Sequence, residues 1–317
     1  MVNTRLYFTT DIHGSELCFL KFVSAGKFYK ADVIVFGGDI TGKMIVPLVK
    51  MPDGTRTANF QGLDNILKNE EEALKLEKMI RDSGYYPYRT TQKEMEELNA
   101  DPAKVDALFS RLMNETLGRW LGIIGEKLKG TGIKVYIVPG NDDRHEIDAI
   151  LEKSEFAVNP EGKVTEIDPH HEMIATGYAN MTPWKCPRDI EESDLEKRIE
   201  DMASRVKNTK NAIFALHCPP VDTELDVAPK LDATLRPVVE RGGLKMDHVG
   251  STAVRKAIEK YQPLLGLHGH IHESKGSAKI GRTLCLNAGS EYSEGVLRGI
   301  IVDLHEKGFK DYVFTSG

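Results

Sequence analysis

Seven side chains of metal-binding type follow five apolar segments of this sequence. In each case the polar residue comes at, or within a few residues of, the end of a short apolar run. The seven are Asp11, His13, Asp39, Asn141, His217, His270 and His272. A single aspartate or histidine in such a place is usually a helix cap, a turn residue or a hydrogen-bonded core residue. Five segments that all end this way are hard to explain as capping, so they predict one shared site.

The donor atoms of these side chains are compatible with one another. Carboxylate, amide and imidazole groups together suit borderline divalent ions, so we expect two ions of Mn, Fe, Zn, Ni or Co. A carboxylate can bridge two ions, and Asp39 is the natural candidate for that place. Two ions about 3.5–4 Å apart can clamp the attacking and leaving oxygens of a phosphoryl displacement and can lower the pKa of a shared water.

The segments that carry these residues read as buried strands separated by helices. The apolar runs are residues 6–8, 33–36, 135–138, 212–216 and 264–267. Such runs suit strands buried on both faces, and their alternation with helical patterns indicates an α/β fold. If the strands were parallel in one sheet, their carboxyl ends would meet at one edge. A helix is predicted from Pro102 to Leu128, and a hairpin over 298–304 and 309–314.

Residues 44–100 interrupt this alternation. They contain a loop, a charged stretch predicted to be helical over 63–81, and a second short helix near 94–98. We interpret them as a helical insertion after the second strand of a single domain that spans 1–317. Such strand ends are where α/β proteins place ligand sites. The sequence leaves open whether the insertion is a surface elaboration, a dimer contact or a cap over the substrate.

The polar motifs resemble, as an ordered set, those of the calcineurin-like metallophosphoesterases. The matching motifs are Asp11-x-His13, Gly38-Asp39, Gly140-Asn141, His217 and Gly269-His270-x-His272. The resemblance runs from Leu6 to Ser290. It implies a four-layer sandwich of two mixed β-sheets flanked by helices.

The resemblance also implies roles for the seven residues. Asp11, His13 and His272 would bind one metal, Asn141, His217 and His270 the other, and Asp39 both. The implied reaction is attack of a metal-bridging hydroxide on phosphorus, with the ions stabilising the growing charge.

One position departs from the family pattern. The family usually has Gly-Asn-His followed by an acidic residue, and that histidine helps to protonate the leaving oxygen. Here Asp142 stands in place of the histidine, so it is the candidate catalytic residue at that position. An exposed aspartic acid has a pKa of about 3.9 and is ionised at neutral pH. Leaving groups that need little protonation are therefore favoured, and we expect a phosphodiesterase. His145, one helical turn further on, is a weaker substitute for the missing acid.

Three alternatives stay open on the sequence. The same site could serve a phosphomonoesterase, or the fold could be a non-catalytic scaffold, although a scaffold has no need of seven metal ligands. Residues 37–44 also approach the phosphate-binding loop of nucleoside triphosphatases. That third alternative is disfavoured because Met44 stands where the motif requires a hydroxyl side chain.

The net charge and the cysteine content indicate which binding partners and which cellular location to expect. A net charge of −6 provides no overall basic field for nucleic acid or anionic lipid. We expect a small phosphate-ester substrate, no membrane contact, an undecided role for nucleic acid and a homo-oligomer formed through the insertion. Four cysteines without a CxxC pair suit reduced thiols in a cytoplasmic protein. His170 and His171 are predicted to be surface residues, and residues 177–184 resemble a substrate-side loop of the family.

Overall fold

The computed structural model describes residues 3–240 and 242–317 and has the predicted α/β class. Two mixed sheets lie face to face, and helices cover their outer surfaces. No helix within these two ranges combines the length and the apolar character that crossing a membrane requires.

The first sheet contains three of the five predicted site strands. Its strands, in spatial order, are β21 (Gly308–Ser316), β20 (Arg298–His305), β1 (Asn3–Thr9), β2 (Val33–Phe36) and β7 (Lys134–Ile137). Strands β1, β2 and β7 are parallel, and the register pairs Thr9 with Phe36 and Phe36 with Ile137. The carboxyl ends of these three strands therefore lie side by side at the same edge of the sheet. Strands β20 and β21 form the predicted hairpin.

The second sheet contains the other two site strands. Its order is β18 (Gly276–Ile280), β19 (Thr283–Asn287), β17 (Leu265–His268), β12 (Ile213–Leu216), β9 (His171–Thr176) and β8 (Val164–Asp168). Strands β9, β12, β17 and β19 are parallel. The single-sheet arrangement considered above is thus wrong. The site strands belong to two sheets, as the family resemblance implies.

Alternation along the strands builds three apolar layers. Leu6 and Phe8 of β1 point between the sheets, where they join Ile213 and Leu267. Intervening residues such as Ile34 point outward, to helices α1 (Glu16–Phe28), α4 (Pro102–Leu128) and α5 (Ile147–Glu152). Helices α6 (Glu192–Ala203) and α7 (Thr252–Tyr261) cover the second sheet in the same way. The order of layers is helix, sheet, sheet, helix.

The segment after β2 is not purely helical, which corrects the sequence prediction. It forms a four-stranded sheet of β5 (Leu63–Leu67), β4 (Arg56–Phe60), β3 (Ile45–Lys50) and β6 (Tyr86–Thr91), with helices α2 (Glu70–Asp82) and α3 (Gln92–Asn99). Residues 63–67 were predicted to be helical, but they pair with β4. Helix α2 begins only at Glu70, where the Asn69 side chain accepts a hydrogen bond from the Glu72 amide.

Small antiparallel pairs complete the strands. They are β13 (Val227–Pro229) with β16 (Met246–His248), and β14 (Val239–Glu240) with β15 (Gly243–Leu244), while β10 (Ala179–Asn180) and β11 (Asp189–Ile190) pair in parallel. The first two pairs project from the loop that follows β12.

Candidate metal centre

Four of the seven predicted ligands have a left-handed backbone. The φ angles are +53° for Asp11, +40° for His13, +55° for Asp39 and +66° for His270. Non-glycine residues rarely adopt this conformation, and it concentrates at functional sites where the surroundings enforce it. The turns after β1, β2 and β17 therefore hold these side chains in imposed directions.

Glycines allow the turns to approach one another closely. A Cβ atom on Gly140 would collide with Asp39, and a Cβ atom on Gly269 would collide with the side chains of Thr10 and Asp11. Any larger residue would push the strand ends apart. The Gly-Asn and Gly-His motifs thus need glycine because their backbone lies directly against the side chains of the predicted metal ligands.

Asp11, His13 and His272 form the first donor cluster. Their ligand atoms all lie within 4.8 Å of one another. The Nε2 atoms of His13 and His272 are 3.0 Å apart, and His272 Nε2 is 3.5 Å from Asp11 Oδ1. Asp11 Oδ2 is already used, because it accepts hydrogen bonds from Thr10 Oγ1 and the His270 amide. Asp11 Oδ1 is the atom that faces the cluster.

Asp39, His217 and His270 form the second cluster, again within 4.8 Å. The Asn141 side-chain oxygen lies 3.1 Å from His217 Nε2 and 2.9 Å from His270 Nδ1. Its amide nitrogen donates to Asp189, which fixes the oxygen toward the histidines. His217 Nδ1 lies 2.9 Å from the Gly37 carbonyl, to which it donates, leaving Nε2 for the cluster.

Asp39 lies between the two clusters. Its Oδ2 atom is 3.6 Å from His13 Nε2 and 3.5 Å from His217 Nε2. Its Oδ1 atom accepts the amide hydrogen of Asp142. The structure therefore brings all seven sequence-predicted ligands to one place, with Asp39 in the intermediate position.

The donor atoms fit a pair of cations. Asp11 Oδ1 and His13 Nδ1 are buried without a hydrogen-bond partner, although buried polar atoms are nearly always paired. The Nε2 atoms of His13 and His272 also face each other across this cluster. Carboxylate, amide and imidazole atoms converging in this way are a suitable ligand set for divalent metal ions.

The charges of the site favour positive charge at its centre. Burial lowers the pKa of His270 to about 3 and holds the pKa of His13 well below its usual value. Burial acts on His217 in the same direction, but the carboxylates of Asp39 and Asp11 outweigh it and raise the pKa of His217 to about 10. The two carboxylates therefore attract a cation to the point where the clusters meet.

Asp143 and Arg188 hold the loops that carry the ligands. The Asp143 carboxylate accepts from the amides of Ile40, Thr41 and Gly140, so it ties the loop after β2 to the loop after β7. Helix α5 begins after Glu146, so Asp143 does not cap this helix. The buried Arg188 guanidinium donates to the carbonyls of Asp143 and Arg144 and to the Asp148 carboxylate. Nothing in the local sequence distinguishes Arg188.

Three side chains border the centre: Asp142, Lys43 and Tyr292. Asp142 Oδ2 pairs with Lys43 Nζ at 2.9 Å and lies 3.7 Å from His13 Nδ1. The Tyr292 ring packs on His13 with centroids 4.9 Å apart, and on His272 at 6.0 Å. The sequence prediction missed Tyr292, and it included Lys43 only as part of a phosphate-loop motif.

The other histidines lie outside the donor clusters. His145 is exposed and its Nε2 lies 3.1 Å from the Pro187 carbonyl. The prediction for His171 was wrong, because its ring is buried and pairs with Asp168. His268 is buried in β17 beside the Leu216 carbonyl, as expected of a strand residue.

Comparisons of the sequence with known proteins give a partial match. No family model matches the chain. An uncharacterized protein of Methanocaldococcus jannaschii is 32% identical over 157 residues, which are 49% of this chain and 63% of that protein. The chain thus matches less than two thirds of that relative's length.

Solved structures align with nearly the whole chain. One crystal structure is 20% identical, covers 98% of both chains and gives a TM-score of 0.57. The crystal structure of TT1561 of Thermus thermophilus is 14% identical, covers 100% of this chain and 99% of that one, and gives a TM-score of 0.52. These similarities show a shared fold and nothing about activity. An archaeal phosphodiesterase is more distant, at 10% identity, 98% and 100% coverage and a TM-score of 0.37.

Proposed function

We propose that this protein is a metal-dependent phosphoesterase with a dinuclear centre and that it hydrolyses phosphodiesters. The observation that carries the proposal is a pair of three-residue donor clusters with Asp39 between them. Two clusters with one carboxylate, that of Asp39, facing both suit two divalent ions held close together. The motif order in the sequence supports the same conclusion independently.

When bound, two divalent ions supply a water-derived nucleophile near neutral pH and stabilise charge on the phosphoryl oxygens. The contribution of the chain is to fix the donors before substrate arrives. Thr10 and the His270 amide orient Asp11, and Asp189 orients Asn141. Such fixed geometry avoids reorganisation during the reaction.

Lys43 and Asp142 provide the groups on the open side of the centre. We propose that the Lys43 ammonium binds a phosphoryl oxygen of the substrate. Its side chain is 45% exposed, and it pairs with Asp142, which in turn lies beside His13. Asp142 holds that ammonium in place as a hydrogen-bond acceptor. An ion-paired carboxylate is a poor proton donor, which supports substrates whose leaving group needs little protonation.

The alternatives have less support. The chain passes from Lys43 into strand β3 at Ile45, whereas a phosphate-binding loop must open a helix. A scaffold without catalysis gives no reason for the unpaired Asp11 oxygen. A phosphomonoesterase would use the same donors, and only substrate comparison separates it from a diesterase.

The test measures bound metal and hydrolysis together. The full chain is loaded separately with Mn, Ni or Co, and turnover of bis(4-nitrophenyl) phosphate is compared with that of 4-nitrophenyl phosphate. We expect two ions per chain and a higher kcat/KM for the diester. His217→Ala should hold fewer ions and lose most of the diester turnover, whereas His170→Ala, which changes an exposed histidine outside the site, should alter neither. No bound metal and no hydrolysis with any of the three ions would remove the proposal.

The remaining sequence-based expectations stay predictions. They are a single metallophosphoesterase domain over 1–317, a small substrate, a cytoplasmic location and a homo-oligomer formed through the insertion. Exposed Leu63 and Ile66 on strand β5 supply apolar surface for such a contact. Light scattering of the wild-type chain and of a Leu63→Lys, Ile66→Lys variant tests the oligomer.

A further inference from the structure

A cleft adjoins the open side of the metal centre. Its volume is about 640 Å³, and its inner end is formed by Lys43 and Asp142. Helix α3 of the segment that follows β2 and helix α4 form one wall, and the loops around Arg144 and Pro187 form the other. A volume of this size falls in the range of small-molecule sites.

Apolar groups dominate the part of the cleft that lies away from Lys43 and Asp142. The apolar lining residues are Leu98, Pro102, Val105, Phe109 and Pro187. Val105 is 40% exposed although it belongs to the long helix α4. An exposed valine on a cleft wall is surface that a bound organic group can cover.

The charged groups of the cleft are already paired. Lys43 pairs with Asp142 at 2.9 Å, and Arg144 pairs with Asp106 at 2.7 Å. The Arg144 guanidinium also donates to the Ser110 hydroxyl and lies over the Phe109 ring, 4.6 Å from its centroid. Lys43 is assigned to the phosphoryl group at the centre, and the Arg144–Asp106 pair has no net charge. The rest of the cleft therefore suits an uncharged group better than a second phosphate.

We propose that this cleft binds the uncharged, planar organic group of a phosphate ester whose phosphoryl group lies at the metal centre. Phe109 with its overlying guanidinium supplies a flat surface, and the side chains of Leu98 and Val105 supply apolar contact. The proposal rests on the proposed function and adds the class of substrate to it. Esters of aromatic or heterocyclic groups are preferred over esters of small alkyl groups.

The test compares two metal-binding probes that differ only in their organic group. Phenylphosphonate and methylphosphonate are titrated into the manganese-loaded full chain, and their Kd values are compared by calorimetry. Wild-type protein should bind phenylphosphonate about tenfold more tightly, since partial burial of a phenyl ring is worth roughly that factor. Val105→Trp and Leu98→Trp fill the cleft from neighbouring helices, and either should bring the ratio close to one.

Val313→Trp is the matched control. Val313 is 53% exposed on the edge strand β21, at the opposite edge of the first sheet from β7. The Val313→Trp variant should keep the wild-type ratio of the two phosphonate Kd values. Circular dichroism establishes that each variant is folded, and two filling variants guard against the misfolding of one.

The outcomes separate this proposal from the proposed function. Bound metal and diester turnover are measured on the same wild-type preparation. If both are present and the wild-type ratio is near one, or both filling variants keep the tenfold ratio, the cleft proposal is overturned and the proposed function stands. If metal and turnover are both missing, the proposed function fails and the cleft proposal fails with it.

Discussion

Asp39 is the residue on which the candidate centre depends most. Its carboxylate faces His13 on one side and His217 on the other, at nearly equal distances. The other ligands each belong to one cluster. A change at Asp39 should therefore affect both metal positions at once.

Asp39→Asn should lower metal affinity by more than about 100-fold, which exceeds the loss typical of an outer-sphere partner. The amide keeps the shape of the side chain but removes the negative charge that two cations share. Bound metal is measured by elemental analysis after dialysis, and diester turnover in parallel.

Asp101→Asn is the control for this change. Asp101 caps helix α4 by accepting from the Ala103 amide, and asparagine caps equally well. It should retain full metal content. Two tightly held ions in Asp39→Asn would contradict the bridging role.

Lys43→Gln should reduce kcat/KM for a diester by about tenfold to a hundredfold, the value of one charged hydrogen bond. Metal content should be unchanged, because Lys43 contacts Asp142 rather than a metal ligand. Equal loss of metal and of turnover would show instead that Lys43 supports the centre. Lys43→Arg, which keeps the charge, should recover part of the rate.

At the scale of elements, the helices act mainly by holding strand ends in place. Trp120 of α4 stacks on Phe19 of α1, with centroids 4.2 Å apart and ring planes 6° from parallel. Both rings are buried beneath the first sheet. This contact fixes α4 against α1, and α4 carries one wall of the cleft.

Trp120→Ala should lower the free energy of unfolding by about 3–5 kcal/mol, through lost burial and the cavity left behind. Trp184→Ala is the natural control, because Trp184 is 62% exposed and should change stability by less than about 0.5 kcal/mol. Urea unfolding followed by circular dichroism measures both. An equal loss of unfolding free energy in the two variants would show that the Trp120–Phe19 stack contributes no more to stability than an exposed tryptophan.

The His248 side chain of β16 gives the molecule a small pH-dependent contact. Its Nδ1 atom is 2.8 Å from the buried Asp226 carboxylate, and this hydrogen bond raises the pKa of His248. A histidine with a raised pKa stabilises the fold below about pH 6.5, and the contribution is lost as pH rises through the folded-state pKa. Because the side chain is 46% exposed, the effect should stay below about 1 kcal/mol.

His248→Gln should therefore be less stable than wild type at pH 5.5, with the difference vanishing at pH 9. Urea midpoints at the two pH values measure this, and His170→Gln controls for loss of an exposed imidazole. A difference that is the same at both pH values would count against the ion pair.

At the scale of the whole molecule, the candidate centre joins the two sheets. Asp11, Asp39 and Asn141 follow strands of the first sheet, and His217, His270 and His272 follow strands of the second. Metal ions held by both sets would link the sheets at one end of the sandwich. Binding to the folded chain would then add directly to its stability.

Metal saturation should stabilise the fold by about 2.7 kcal/mol for each bound ion at a free concentration 100 times the Kd. Thermal unfolding with excess Mn²⁺ and after chelation gives the difference in Tm. His217→Ala, which removes one ligand, should show a smaller difference. An identical Tm with and without metal would mean that no ion binds preferentially to the folded chain.

The sequence determined the strands of the candidate site and the order of its ligands. Runs of apolar residues and the polar side chains after them are local signals, so β1, β2, β7, β12 and β17 were each found. Helix α4 was bounded by the Pro102 start and the glycines after Leu128, both local chemistry. The insertion was harder, because Leu63, Ile66 and Leu67 also fit a helical spacing. The capping signal of Asn69 and Glu72 could have placed the start of α2 correctly.

Only the tertiary structure decided the surroundings of the ligands. Lys43 beside Asp142, Tyr292 on His13 and Arg188 beneath the loops are contacts between residues that lie from 44 to 279 positions apart. No local periodicity encodes such pairs, since they arise when separate strand ends and loops converge. The division of the site strands between two sheets has the same origin. A strand's sequence specifies that it is buried, but its partners follow from the packing of the whole chain.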